Sequence, residues 1–257
     1  MTDATSRLLS DLSGAAARDE IVAFYQPQFD LETGRIVAAE ALARWMHPEG
    51  GLVPPATFIP VAEESGLIHE IGAHMIDPAC AAALEWCEGA DRIEVAVNVS
   101  ATQLHDVGFA DRLIDTVRTL ELDPSLLIIE VTESTAIIDV SAVAERLDWL
   151  RSVGMTISVD DFGTGHSSVE QVLSLRATEL KIDQSLVRDE SSGARTLLAA
   201  VVSFARNRGL RVVAEGIETD TQFRRMRELK CDRAQGFLLS RPVPKPEFDA
   251  LLRDRNA

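Results

Sequence analysis

The segment Phe24-Tyr25-Gln26-Pro27-Gln28-Phe29-Asp30-Leu31-Glu32-Thr33-Gly34-Arg35-Ile36-Val37-Ala38-Ala39-Glu40-Ala41-Leu42-Ala43 decides the architecture. Its ends, residues 24–29 and 36–43, are short and mostly apolar, as strands covered on both faces are. Between them lie only Asp30-Leu31-Glu32-Thr33-Gly34-Arg35. A crossover between parallel strands needs a dozen or more residues, so these two runs pair as an antiparallel hairpin.

Downstream the rhythm changes. Strand-like runs follow at 93–98, 126–131, 155–159, 179–182, 210–214 and 233–237. Helical patterns at 68–86, 107–120, 140–153, 167–175, 196–209, 219–229 and 245–253 alternate with them. Thr219 or Asp220 caps one helix, and Gly154 and Gly209 follow helical ends. Pro54, Pro55 and Pro60 mark a loop-rich insert after the second strand. The fold expected is α/β, a TIM-like (β/α)8 barrel with the first strand antiparallel to the rest. Residues 1–20 read as a polar leader, poorly structured or a short helix, and residues 21–257 as one barrel.

Composition narrows the chemistry. A formal net charge of −16 argues against binding a nucleic-acid polymer or an anionic membrane by bulk electrostatics. Cys80, Cys87 and Cys231 show no CxxC spacing and make no disulfide framework, so they read as small core hydrophobes. The N-terminal stretch lacks the basic and apolar regions of a signal peptide, and no run reaches the roughly 18 apolar residues of a membrane helix. A cytoplasmic protein without membrane insertion is expected.

The ends of the expected strands carry an unusual set. Glu40, Asn98, Glu130, Asp160 with Asp161, Lys181 with Asp183, Glu215 and Gln235 come from seven separate strands. Each alone has an ordinary use as a cap, a turn residue or a solvated charge. Together they fall on one rim of a barrel, where such folds carry their sites. Glu40, Glu130, Asp160, Asp161 and Glu215 would converge as five carboxylates, which cannot all stay ionised without compensation. One lysine is too little, whereas two divalent cations nearly balance the set. Oxygen donors select Mg²⁺ or Mn²⁺ over zinc. Two such ions suit in-line attack of water on a phosphate ester. In that reading Asp160 bridges the metals, Arg44 meets a phosphate oxygen, and Lys181 orients the water or neutralises developing charge.

These residues also carry a resemblance. Glu40-Ala41-Leu42 with Arg44-Trp45, Tyr25-Gln26-Pro27, Asn98-Val99-Ser100, Asp160-Asp161-Phe162-Gly163-Thr164-Gly165, Leu180-Lys181-Ile182-Asp183, Val213-Ala214-Glu215-Gly216 and Gln235-Gly236-Phe237 stand in order. Over about residues 20 to 250 the chain resembles the EAL-domain family of cyclic di-GMP phosphodiesterases. The resemblance implies hydrolysis of cyclic di-GMP to linear pGpG with two Mg²⁺ or Mn²⁺ per site, and inhibition by Ca²⁺. It implies Glu40, Asn98, Glu130, Asp160, Asp161 and Glu215 as metal ligands and Lys181 as the catalytic lysine. Asp183, Glu218 and Gln235 match positions close to metals and water, and Gln26, Leu42 and Arg44 positions that touch substrate. Glu133 matches a residue that braces the loop 162–168, comprising Phe162, Gly163, Gly165 and His166 among others, which couples the metal site to a homodimer interface.

The chain departs from the family pattern at His166, where tyrosine is usual, and at Gln184, Leu186, Arg176, His74 and Lys230. None is an expected ligand. The plainer reading of His166 is a tolerated change in a surface loop; the sharper one is that its imidazole makes loop order or dimerisation depend on pH. Family chains are commonly fused to sensory or cyclase domains, and none is visible in this sequence. Two other functions fit less of the pattern: a non-catalytic cyclic di-GMP receptor, and a broader metallophosphodiesterase of cyclic or linear dinucleotides.

Overall fold

The computed structural model describes residues 3–87, 92–132, 140–163 and 169–256. In chain order its strands are β1 (Ile21–Asp30), β2 (Ile36–His47), β3 (Gly51–Val53), β4 (Glu94–Asn98), β5 (Leu127–Thr132), β6 (Thr156–Phe162), β7 (Glu179–Ile182), β8 (Arg211–Ala214), β9 (Arg233–Ala234) and β10 (Val243–Pro244). The helices are α1 (Asp3–Leu12), α2 (Pro55–Ser65), α3 (Ile68–Trp86), α4 (Ala101–His105), α5 (Phe109–Thr119), α6 (Val140–Ser152), α7 (Val169–Ser174), α8 (Gln184–Arg188), α9 (Ser192–Asn207), α10 (Asp220–Glu228) and α11 (Lys245–Asn256).

The hairpin forms as the short connection demands. β1 and β2 pair antiparallel from Ile21↔Trp45 to Phe29↔Ile36. From β2 onward the ladder β2-β4-β5-β6-β7-β8-β9 is parallel. β9 then pairs antiparallel with β1, which closes an eight-stranded barrel with one reversed stave. β3 and β10 are short additions at its margin.

Two local readings need correction, and one short helix is added. The proline-rich stretch after β2 is not a loop: it holds β3 and the helix α2, which starts at Pro55 and contains Pro60. Proline at the first helical position is tolerated because its missing N–H would have no partner there. The helix expected over 107–120 forms as α5, and a further short helix, α4, comes before it. A capping box starts α4, with Ser100 and Gln103 exchanging side-chain and backbone hydrogen bonds. The last stave is shorter than 233–237, because the chain leaves the ladder after Ala234.

Strand alternation sorts the side chains. Val95, Val97, Ile129, Val131, Ile157, Val159, Leu180 and Ile182 belong to the large core that the helices cover. Leu12, Ala15 and Ala16 of the N-terminal segment join that same core. Ala38, Ala96 and Ile128 form a small separate plug. At the N-terminal ends of the strands, Glu94 accepts hydrogen bonds from Arg211 and Arg233, while Arg211 also pairs with buried Glu179. At the opposite ends lie the acidic residues.

Candidate active site

Parallel register assembles the acidic set. Glu40 lies beside Ala96, Asn98 beside Glu130, and Thr132 beside Asp160. Across the hairpin Gln26 faces Glu40. Lys181 rises from β7, Glu215 directly follows β8, and Gln235 directly follows β9. Two adjacent aspartates on a regular strand would point to opposite faces. Here the β6–β7 register shifts between Val159 and Phe162, and Asp161 adopts a left-handed φ of 61°. That irregularity lets Asp160, Asp161 and Glu215 each place a carboxylate oxygen within 4.8 Å of the others.

Lys181 is the centre of charge. Its fully buried Nζ donates to Glu130 Oε2 at 2.8 Å and to Asp160 Oδ2 at 3.2 Å. Glu215 Oε1 lies 2.7 Å away and Glu40 Oε2 3.6 Å. Glu40 is fixed on both oxygens, by Asn98 Nδ2 at 2.8 Å and by Gln235 Nε2 at 2.6 Å. Gln235 also donates to Gln26, whose own amide donates to the Ser240 carbonyl.

The protonation pattern follows from burial and neighbours. Burial lowers the Lys181 pKa, but the carboxylates around it outweigh that and hold it well above its ordinary value. Burial opposes ionisation of Glu40, yet the Lys181 charge and the Asn98 and Gln235 donors keep its pKa low. Glu130 and Glu215 go the other way. Burial, reinforced by neighbouring carboxylates, pushes both well above the usual range despite Lys181. Asp161 is pushed up to about 6 by desolvation and then by the Asp160 and Asp183 charges. Five carboxylates thus crowd one ammonium, leaving four formal negative charges over.

That set fits divalent cations. The donors are oxygens, the excess charge equals that of two such ions, and Glu130 Oε1 is buried without a hydrogen-bond partner among the described residues. A carboxylate oxygen sealed in this way needs a cation or a donor.

Two cavities meet at this point. A polar one of about 280 Å³ is lined by Asp160, Asp161, Asp183, Arg188, Glu215 and Glu218 among others. An apolar cleft of about 390 Å³ lies between α2, α3 and the ends of β2 and β4. Glu40 and Leu42 line both, and Gln26 and Gln235 line the polar one. Asp183 also caps α8, accepting from the Ser185 backbone N–H at 2.8 Å. Arg44 stands apart from both walls: it donates to the Ala43 carbonyl and lies over the Phe24 ring. Phe162 is buried, and a Cβ on Gly163 would approach Leu186 Cδ2 to 2.9 Å. Glu133, Gly165 and His166 lie outside the described residues. Sequence reasoning missed Arg188 and Phe237, which line the polar cavity. For Arg188 the one signal is its position four residues after Gln184 on a short helix starting at the rim.

Residues 9–242 match the EAL domain family. The chain belongs to that family. EAL-domain relatives include the bifunctional diguanylate cyclase/cyclic di-GMP phosphodiesterase MucR of Pseudomonas aeruginosa, 41% identical over 245 residues. That match covers 94% of this chain and 36% of MucR. The cyclic di-GMP phosphodiesterase PA2567 of the same organism is 39% identical, across 96% of this chain and 42% of its own. The chain thus spans less than half the length of these curated EAL relatives. Among solved structures, the PaMucR phosphodiesterase in complex with c-di-GMP superposes with a TM-score of 0.88 at 40% identity. That superposition covers 94% of this chain and 99% of the other. The EAL enzyme Bd1971 superposes with a TM-score of 0.91 at 28% identity, across 97% and 69% of the two chains. Among the described residues no helix is long and apolar enough to cross a membrane.

Proposed function

We propose that this chain is a phosphodiesterase that opens cyclic di-GMP to linear pGpG at the carboxylate ring. The observation that carries the reading is one buried lysine shared by four carboxylates, with a carboxylate oxygen of Glu130 left without a partner among the described residues. Glu40, Asn98, Glu130, Asp160, Asp161 and Glu215 would hold two Mg²⁺ or Mn²⁺ ions, with Ca²⁺ as an inhibitor. When bound, such a pair acidifies water and offsets charge on phosphoryl oxygens.

The remaining work falls to the chain itself. Lys181 keeps its proton because four carboxylates surround it, so it brings a fixed positive charge to the attacking side. Gln235 and Asn98 fix both oxygens of Glu40, so this ligand needs little rearrangement during turnover. Asp183 and Glu218 offer acceptors for a water proton on the wall of the polar cavity. Leu42 and Gln26 shape the seam on which the dinucleotide rests, and Arg44 would turn from Phe24 toward a phosphate. Residues 21–257 act as the catalytic unit and 1–20 as a leader, in the cytoplasm. A homodimer formed through the loop 162–168 with Glu133 completes the reading, and light scattering tests it.

Hydrolysis of cyclic di-GMP followed by chromatography tests the activity. Turnover with Mg²⁺ or Mn²⁺, lost with Ca²⁺ and in Glu40→Ala, is expected. Tight binding without turnover points to a receptor instead, and equal turnover of cyclic di-AMP to a broader enzyme.

A further inference from the structure

A cyclic dinucleotide brings two bases to the rim as well as two phosphates. The polar cavity that meets it carries six carboxylates, from Glu40, Asp160, Asp161, Asp183, Glu215 and Glu218. Arg188 is the one cation among its described lining residues. Acceptors are therefore plentiful on this wall and donors scarce. Lys181 lies beneath, engaged by four carboxylates. The amides of Gln26 and Gln235 already donate within the protein. Gln184 adds one amide but no fork.

Arg188 is differently placed. Its side chain is 44% exposed, and Nη2 donates to Glu218 Oε1 at 2.5 Å. Among the described residues Glu218 is its one partner, so most of its five N–H groups are unspent. Its backbone is held firmly. Leu186 and Val187 beside it are buried. Arg225 of α10 donates to the carbonyls of Val187 and Asp189, on either side of it. A Cβ on Gly216 would fall 2.2 Å from Gln184 Cβ, so α8 packs tightly on the loop that carries Glu215 and Glu218. A planar donor fork thus stands on a fixed base at the edge of an acceptor-rich cavity.

We propose that Arg188 determines base specificity, donating to the O6 and N7 acceptors of one guanine while Glu218 orients the guanidinium. The assignment rests on the cyclic dinucleotide reading above. Guanine presents two acceptors side by side on that edge, which a guanidinium meets with two parallel N–H bonds. Adenine replaces O6 with an amino group, so a donor would face a donor.

The test uses the intact chain with Mg²⁺, both turnover and calorimetric binding, and two probes, cyclic di-GMP and cyclic di-AMP. Arg188→Ala should raise KM and Kd for cyclic di-GMP roughly 10-fold, the size of one bidentate base contact. It should narrow the preference over cyclic di-AMP by a similar factor and leave kcat within about threefold. Arg188→Lys keeps the charge without the fork and should recover little. Equal weakening for both dinucleotides, a fall in kcat at constant KM, or full recovery by lysine would each overturn the proposal. Arg188→Gln, an exposed polar replacement, guards against misfolding of the alanine variant. If the parent binds cyclic di-GMP without cleaving it, the phosphodiesterase reading fails and the binding data alone decide Arg188. If the parent binds neither dinucleotide, both fall.

Discussion

Lys181 Nζ and Glu130 Oε2 lie 2.8 Å apart, and both side chains are sealed from solvent. A buried ion pair is stable only when its remaining lone pairs and protons find partners. Here the pair is overdrawn on the acidic side, since Asp160, Glu215 and Glu40 reach for the same ammonium. The excess of carboxylates is one that divalent cations could balance.

Replacing Lys181 by alanine removes the shared partner of four carboxylates. Breaking a buried charge pair in this way costs on the order of 3 kcal/mol of stability. Metal binding should survive, because the oxygen ligands remain. Turnover should fall about 100-fold or more, the size of losing one fixed electrostatic group. Thermal melts with and without Mg²⁺ and steady-state kinetics check both halves. A parental kcat would remove the lysine from the mechanism.

Asp160→Asn should act in the opposite direction on stability. It deletes one of the crowded negative charges but keeps the side chain's volume. Without metal the melting temperature should rise by a few degrees, roughly 1 kcal/mol for a domain of this size. The rise caused by Mg²⁺ should shrink, and turnover should fall at least 100-fold. Glu40→Ala should likewise lose turnover with an unchanged circular dichroism spectrum. An unaltered Mg²⁺ response in Asp160→Asn would contradict the ligand assignment.

At the other end of the barrel, Glu94 links pH to stability. Burial raises its pKa, but the Arg233 and Arg211 charges outweigh this and hold it below the usual value. A depressed native pKa means that its stabilisation is full above the unfolded-state value, about 4.3, and is lost as pH falls through the native one. Glu94→Gln should therefore lower the urea midpoint at pH 7 and flatten its decline below pH 5. Parallel pH profiles for parent and variant would refute the link.

Gly236→Ala probes the closure of the site. A Cβ there would sit 2.2 Å from both the backbone N and O of Ile217. Backbone cannot yield as a flexible side chain can, so Gln235 should shift off Glu40. Stability should fall by about 2 kcal/mol and kcat should drop together with the Mg²⁺-induced rise in melting temperature. Normal kinetics in a destabilised variant would confine the effect to packing.

The sequence by itself determined the topology of the barrel and the rim on which its charges gather. Six residues between 29 and 36 are too few for a crossover, and strand periodicity aligns Glu40, Asn98, Glu130 and Lys181 at corresponding ends. Both inferences rest on local chain geometry, which sequence spacing carries directly. Tertiary structure alone decided the rest. Periodicity forbids Asp160 and Asp161 from sharing a face, and a register shift with a left-handed residue overrides it. Proline content hid α2, because proline breaks a helix interior but suits its first turn. Arg188 joins the wall only because α8 and the Glu215–Glu218 loop pack together. The protonation of Glu130 and Glu215 likewise depends on burial and on charges brought from distant strands, and no single segment encodes either.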